Sequence, residues 1–460
     1  MIETYKMSSF KMRLLFLFLL PGTGLFAQQE IGLHFMHHLW QANKTNPAIV
    51  PEANLVIGLP GIRNNLFFTG PAYDDIVFKN EADRSVIDID RAIAFLQPEN
   101  LIRDDLELET ISFAFKIHGL TFSFSHAIKY SVFLQYPKTL PQLIWQGNAQ
   151  FIGETVSLNN DLELTGYNEY AFGAAYKIGG KLTLGAKAKF LNGIGNVSTD
   201  RAHRRASLFT DPDIFQLTLD ADYRLNSSGA LDYESFRDFH LDFNYDPAST
   251  QNLFTQNKGF AVDLGLRLEI GKFDISVSML DLGSIDWKAD VRNYIADGTF
   301  KYDGLDFSQA LTGQSVNFDE ALDTLEQIFQ VTEINTGYST GLPAKVYVSA
   351  TYQLNKNWEI GGLFFTESYR GKTFPAVALS ANVDLIPEII SLGATYAILH
   401  DDSFDNIGLN AVVKLGPVQF FGTTDNIISA FQPGNKQNFS VRLGLNLVFF
   451  QPKTYSAEKP

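Results

Sequence analysis

The 460-residue chain contains no cysteine. This excludes disulfides, cysteine-ligated zinc, iron–sulfur clusters, thiol nucleophiles and a lipidated N-terminal cysteine. Beyond the N-terminus no stretch approaches the ~20 apolar residues of a membrane helix, so a helical membrane protein is excluded too. Basic residues are scarce: 36 Lys and Arg stand against 51 Asp and Glu, a formal net charge of −15. A chain that must neutralise phosphates is not built this way, and no nucleic-acid partner is expected. Gly-x-Ser-x-Gly, His-Glu-x-x-His, a phosphate-binding loop and a dinucleotide fingerprint are all missing, so neither enzymatic activity nor a cofactor is expected. Gly (35), Phe (39) and Tyr (18) are plentiful, which tilts the composition toward strands and tight turns.

The N-terminus carries an export pattern. Lys6, Lys11 and Arg13 precede the apolar run Leu14 to Leu20, then Pro21 and Gly22, then Leu25-Phe26-Ala27. Residues 1–27 therefore read as a secretory signal peptide, the run being too short for a membrane anchor. Residues 28–52 cannot form a long strand because of Asn43, Asn46, Pro47 and Pro51, yet they carry Phe35, Met36, Leu39 and Trp40, which need burial. They are expected to form an N-terminal plug, with Phe35, Trp40, Asn43, Asn46 and Pro47 as its main residues. His34, His37 and His38 have a spacing that could suit zinc or nickel. With no carboxylate beside them to complete a site, a structural role is expected and no metal is assigned.

The remainder alternates with a period of two. Phe439, Val441, Leu443, Leu445, Leu447 and Phe449 share one parity, and Ser440, Arg442, Gly444 and Asn446 the other. The same contrast recurs at Leu182 to Phe190 and Phe260 to Ile270. Strands in a soluble sandwich average about 5–6 residues; these reach the ~9–11 of a tilted transmembrane strand. The expected fold is all-β: one transmembrane antiparallel barrel over residues 53–450, followed by a periplasmic tail, 451–460.

Turn chemistry supplies the strand count. Short connections fall at His118-Gly119, Gly179-Gly180, Gly271-Lys272, Asn355-Lys356-Asn357, Ile386-Pro387-Glu388 and Gly416-Pro417. Gly, Asn and Pro supply the φ values that tight hairpins need. Between them lie longer connections, roughly Pro71 to Glu107, Gln135 to Leu164, Ser198 to Lys258 and Lys288 to Pro343, with shorter ones near Gly371, Asp401 and Asp425. Six inner turns and seven outer loops require about fourteen strands, with twelve to sixteen compatible with the weak break at Pro60-Gly61 and the extra alternation within 211–246. The long loops are acidic, which suits solubility outside the cell; no Asp-x-Asp-x-Asp-Gly calcium loop is present. Short helices are expected in these loops. Phe318, Leu322, Leu325 and Phe329 share one helical face and predict a lid over the mouth; Ile89 to Leu96 and Leu140 to Trp145 are further candidates.

Inward parity collects charges at depth, notably Lys187, Lys189, Asp263 and Arg442. These predict a lumen charge network that rigidifies the barrel, or else part of a permeation path. Lys187 and Asp263 lie on neighbouring strands at similar height, so an ion pair between them is expected, with Lys189 near enough to share it. His126 interrupts the apolar face of Leu120, Phe122 and Phe124 but has no nucleophile on its own strand.

Leu39-Trp40-Gln41-Ala42-Asn43-Lys44-Thr45-Asn46-Pro47-Ala48 resembles the Asn-Pro-Ala segment of the outer-membrane long-chain fatty-acid transporter superfamily, where the N-terminal stretch plugs the barrel. Gly185 to Gly193, Asn257 to Gly265, Ser278 to Trp287 and Leu342 to Tyr347 resemble a family of exported Bacteroidota outer-membrane barrels of unassigned function, similar in architecture to those transporters and to the fourteen-stranded barrel that accompanies type IX secretion. The resemblance implies residence in the outer membrane, contact with its lipids, insertion by the barrel-assembly machinery, and binding or transport of a hydrophobic small molecule. Its alternative is a non-transporting accessory of secretion or surface assembly that holds a surface or secreted protein through its outer loops. The ten residues after Phe450 depart from barrels that stop at a C-terminal aromatic.

Overall fold

The structure, a computed structural model, describes residues 30–79, 85–233, 239–241, 243, 253–302, 331–398, 406–432, 434 and 436–450. The expected signal peptide 1–27, the expected lid residues Phe318, Leu322, Leu325 and Phe329, and the expected periplasmic tail 451–460 lie outside the described residues.

Fourteen antiparallel strands close on themselves. β1 runs Leu55–Gly58 and Gly61–Phe68, β2 Glu99–Ile117, β3 Leu120–Pro137, β4 Asp161–Ile178, β5 Leu182–Thr210, β6 Lys258–Ile270 and β7 Phe273–Trp287. β8 follows as Tyr338–Gly341 and Ala344–Gln353, then β9 Trp358–Tyr369, β10 Lys372–Ile386, β11 Ile390–Ile398, β12 Ile407–Leu415, β13 Val418–Thr424 and β14 Asn438–Phe449. β14 pairs back onto β1, with Phe449 opposite Leu55 and Leu443 opposite Ile62, so no edge is left open. Pro60, which has no N–H to give, splits β1, and Leu59 N–H bridges the gap to Leu445 O at 2.9 Å.

The hairpins fall where the turn residues place them. His118 and Gly119 both have positive φ (49° and 82°), the backbone that suits the right-handed twist of a two-residue hairpin, and Gly179 and Gly180 (57° and 71°) open the three-residue connection 179–181 in the same left-handed region. The outward parity is apolar and exposed: Leu443 is 52% accessible while its neighbour Arg442 is 4%. Phe172, Phe190, Phe260, Leu379 and Phe420 continue this outer band around the wall. A wall apolar outside and charged inside is the arrangement of a barrel in lipid.

Several strands reach beyond the band. β5 has 29 residues, and at about 3.3 Å per residue it far exceeds what a bilayer requires. Its upper half pairs with Leu217–Ser228, which pairs with Val291–Tyr302, making an outer sheet. The expected third loop thus begins later than Ser198, and β2 begins at Glu99, before the expected Glu107. Short helices Ile89–Phe95 and Thr139–Gln146 stand in the first two outer connections.

Candidate functional site

Inside the barrel lies the segment 31–49 that precedes β1. Residues 31–36 and 39–49 are buried except for Lys44, which is half-buried. Their contacts circle the wall: Gly32 N–H donates to Asp425 Oδ1 (2.9 Å), His34 meets Ser349 on β8, Gln41 meets Asn446 on β14, and Asn46 reaches Leu266 O on β6. Partners on so many sides place the segment in the lumen. Phe35 packs with Ile31, Leu280, Tyr347, Leu363 and Phe365, while Trp40 sits with Ala53, Val56 and Ala114 and donates to Ser112 Oγ at 3.0 Å. Asn43 ties the segment to itself through Pro47 O and Ile49 O. Pro47 lies where β5 and β6 carry Gly185 and Gly265; a Cβ on Gly185 would stand 2.4 Å from the Pro47 carbonyl carbon, so those glycines make room for the backbone.

The inward charges form linked groups. Lys189 Nζ lies between Asp263 (2.8 Å) and Asp281 (2.5 Å), and Asp281 also receives Lys345 at 2.8 Å. A bulge in β7 places Asp281 at φ 59°, where it and Leu280 are both buried, and Asp281 N–H donates to Asp263 Oδ1 at 2.8 Å. Lys187 stands opposite Asp263 in register, yet its ammonium donates to Asn43 O at 2.7 Å. The expected Lys187–Asp263 pair is thus replaced by Lys189–Asp263, because a carbonyl of the segment sits within reach of Lys187. Arg442 belongs to another group: it binds Glu30 (2.6 Å) and Glu107 (3.3 Å), with Arg63 also 3.5 Å from Glu30. Lys44 of the segment binds Glu107 (2.7 Å) and Glu109 (3.0 Å). Lys129, in register with Glu107, pairs with Glu169 at 2.7 Å, and higher up Arg103 pairs with Glu367 and Arg370 with Asp161 and Glu163.

Glu30, Lys44, Arg103, Glu107, Glu109, Asp281 and Glu367 were not among the expected site residues. One signal was available: Arg103, Asp105, Glu107 and Glu109 alternate with Ile102, Leu106 and Leu108, a strand pattern lost when the segment is taken as loop. A bulge at Thr110 keeps these charges inward while Phe113 and Phe115 face out.

The three histidines diverge. His34 contacts Thr45 and Ser349, His37 lies 3.6 Å from Asp274, and His38 meets Glu52 at 3.3 Å. His126 has one nitrogen 2.7 Å from Thr110 Oγ1 and the other 3.3 Å from Asn168 Oδ1; the Thr110 hydroxyl also donates to His126 O at 3.2 Å, which ties up the bulge.

Among the described residues, three of the spaces follow the axis. An outer vestibule of about 440 Å³ includes Glu163, Asp200, Arg201 and Arg370 in its wall. It shares Glu163, Thr340 and Tyr369 with a central cavity of about 80 Å³, which reaches down to Glu30 and Lys44. At the other end a chamber of about 630 Å³ opens between the inner turns, against His38, Trp40 and Lys414. A fourth space lies on the outside of the wall: an apolar cleft of about 640 Å³ between the helices Ile89–Phe95 and Thr139–Gln146 and the tops of β1 to β4, lined by Phe68, Ile93, Leu96, Ile102, Leu134 and Trp145 among others.

Among solved structures the backbone is similar to the Pseudomonas putida toluene transporter TodX (8% identity, covering 92% of this chain and 93% of that one, TM-score 0.37). It is also similar to a Pseudomonas aeruginosa FadL homologue (10%, 88% and 93%, 0.37) and to the CymD monoaromatic hydrocarbon channel (10%, 92% and 95%, 0.39). No curated protein matches the chain. A family model does, over residues 47–425, and the chain therefore belongs to the family of unknown function DUF5723.

Proposed function

We propose that this protein resides in the outer membrane after export and there binds, or carries across, a hydrophobic small molecule. The observation that carries the reading is the apolar cleft above the lipid-facing band, whose 640 Å³ falls in the range of small-molecule sites and ten of whose sixteen lining residues are Ile, Leu, Phe or Trp. The toluene and monoaromatic channels named above suggest the same class of cargo. In this reading residues 31–49 are a plug, and Lys187, Lys189, Asp263 and Arg442 belong to the charge network that holds the barrel around it. The test is binding of N-phenyl-1-naphthylamine, which fluoresces in apolar sites, to the purified full-length chain. Wild type should bind saturably, and Ile93→Asp should weaken binding at least tenfold. Equal binding by both, or none by wild type, contradicts the reading.

A second reading rests on the filled lumen. With the segment seated between the central cavity and the inner chamber, the barrel also suits a non-transporting accessory of secretion or surface assembly, of the kind met in Bacteroidota. It predicts a stoichiometric protein partner on the outer loops after gentle extraction, and unchanged partner binding in Ile93→Asp.

A further inference from the structure

The axial spaces are lined by charge, unlike the outer cleft. From Asp200 and Arg370 in the vestibule through Lys129, Glu169 and Asp281 to Glu30 and Lys44, polar side chains face the path. Residues 31–49 stand between that path and the inner chamber with its Glu52, Asp384 and Lys414. A route walled this way suits ions and small hydrophilic solutes. What holds the segment in place is therefore what keeps the route shut.

Two imidazoles sit at that seat. His34 is wholly buried and stacks on Tyr347 with ring centroids 5.1 Å apart. Thr45 Oγ1, 2.9 Å from Nδ1, already donates its own proton to Ala42 O, so it accepts from Nδ1–H; Nε2 is then the bare nitrogen and faces Ser349 Oγ at 2.9 Å. The site is thus built for the neutral ring. His37 lies beside it with Nε2 buried and unpartnered. Its one carboxylate neighbour, Asp274 at 3.6 Å, is held by Arg267 at 2.6 Å.

We propose that the lumen is a proton-gated pore for small hydrophilic solutes, closed at neutral pH by residues 31–49 and opened when His34 and His37 take up protons. A proton on either ring would be buried near the Arg267 guanidinium. The surrounding charged groups are Arg267 and Glu269 of β6, Asp274 of β7, Glu359 of β9, Asp384 of β10, and His38 and Glu52 of the N-terminal stretch; β8 contributes the neutral Tyr347 and Ser349. Burial first, and Arg267 second, push the His34 imidazole down to about 3 and hold His37 well below its ordinary value. A released, hydrated segment would have both near 6.5. The sign follows: docking is undiminished above 6.5 and weakens as pH falls below it, by about tenfold per unit for each histidine. At pH 4.5 His34 alone shifts the balance toward release by about 100-fold.

The test is potassium chloride current through the full-length chain in planar bilayers. Wild type should be closed at pH 7.5, with an open probability rising at least about 100-fold at pH 4.5. The His34→Gln/His37→Gln variant, which keeps hydrogen-bonding groups that do not titrate, should stay closed at both. Because the chain has no cysteine, a lock can be added cleanly. A Cβ on Gly32 would lie 3.1 Å from Asn410 Cγ, so Gly32→Cys/Asn410→Cys fits a disulfide between segment and β12. The locked chain should stay closed at pH 4.5 until reduced. No current from wild type at pH 4.5, an unchanged pH profile in the double glutamine variant, or current through the oxidised lock would each overturn the proposal. If the glutamine variant does not seat its segment, the lock decides alone.

Discussion

The ammonium of Lys189 is the point on which three lumen side chains turn. It is buried between Asp263 and Asp281, and removing it leaves Asp263 with a carboxylate that Lys187, committed to Asn43 O, does not pair. Breaking a buried pair in this way costs about 3–5 kcal/mol. Lys189→Met should therefore lower the urea midpoint of the barrel in lipid vesicles, read by the electrophoretic shift of folded chain. Asp263→Asn should cost less, about 1–3 kcal/mol, because Lys189 keeps Asp281. The double variant should be less damaged than the sum of the two; strict additivity would show that the three do not act together. That inward charges gather here was legible in the parity of Lys187, Lys189 and Asp263. Which cation takes which anion was not, since the choice depends on a β7 bulge and on a carbonyl of residue 43, both remote in sequence.

At the scale of the element, the N-terminal segment and the strands are held by different forces. Each strand has its ladder of hydrogen bonds on both sides, whereas the segment has a few turns of its own and depends on side chains set into the wall. Phe35 fills a cluster with Ile31, Leu280, Tyr347 and Phe365, and truncating it there costs about 3–5 kcal/mol. Phe35→Ala should make residues near 31–49 sensitive to added protease at urea concentrations where the barrel's midpoint is unmoved. A fall in the barrel midpoint with no new cleavage would contradict that separation. The sequence marks this stretch as apolar and unable to form a strand, through Asn43, Asn46, Pro47 and Pro51. It gives no hint that Glu30 meets Arg442 or that Lys44 meets Glu107 and Glu109, because those partners lie scores to hundreds of residues away.

The whole molecule was legible where geometry forces one answer. Fourteen strands follow from Gly, Asn and Pro at the inner turns, and the outward face from a parity that cannot be reversed without putting Arg442 into lipid. The outer sheet on β5 was less legible: beyond the bilayer both faces of a strand meet water, so the apolar–polar contrast that marks a membrane strand fades along 196–210 and 217–228. The cleft was not legible at all, since it needs two helices from separate loops brought against one wall. A charge on the outward face should cost about 2–4 kcal/mol near the bilayer midplane. Leu443→Arg should thus lower the urea midpoint, while Leu443→Phe should leave it nearly unchanged.

The most direct test of the barrel's orientation uses nitroxide labels placed one at a time along β14, from 439 to 447, on single cysteines in this cysteine-free chain reconstituted in lipid vesicles. Labels at 439, 441, 443, 445 and 447 should be relaxed strongly by oxygen, which concentrates in lipid, and weakly by a water-soluble nickel chelate. Labels at 440, 442, 444 and 446 should respond weakly to both, because the lumen there is filled. Loss of the alternation, or strong nickel relaxation at 443 and 445, would contradict a lipid-facing wall closed around residues 31–49.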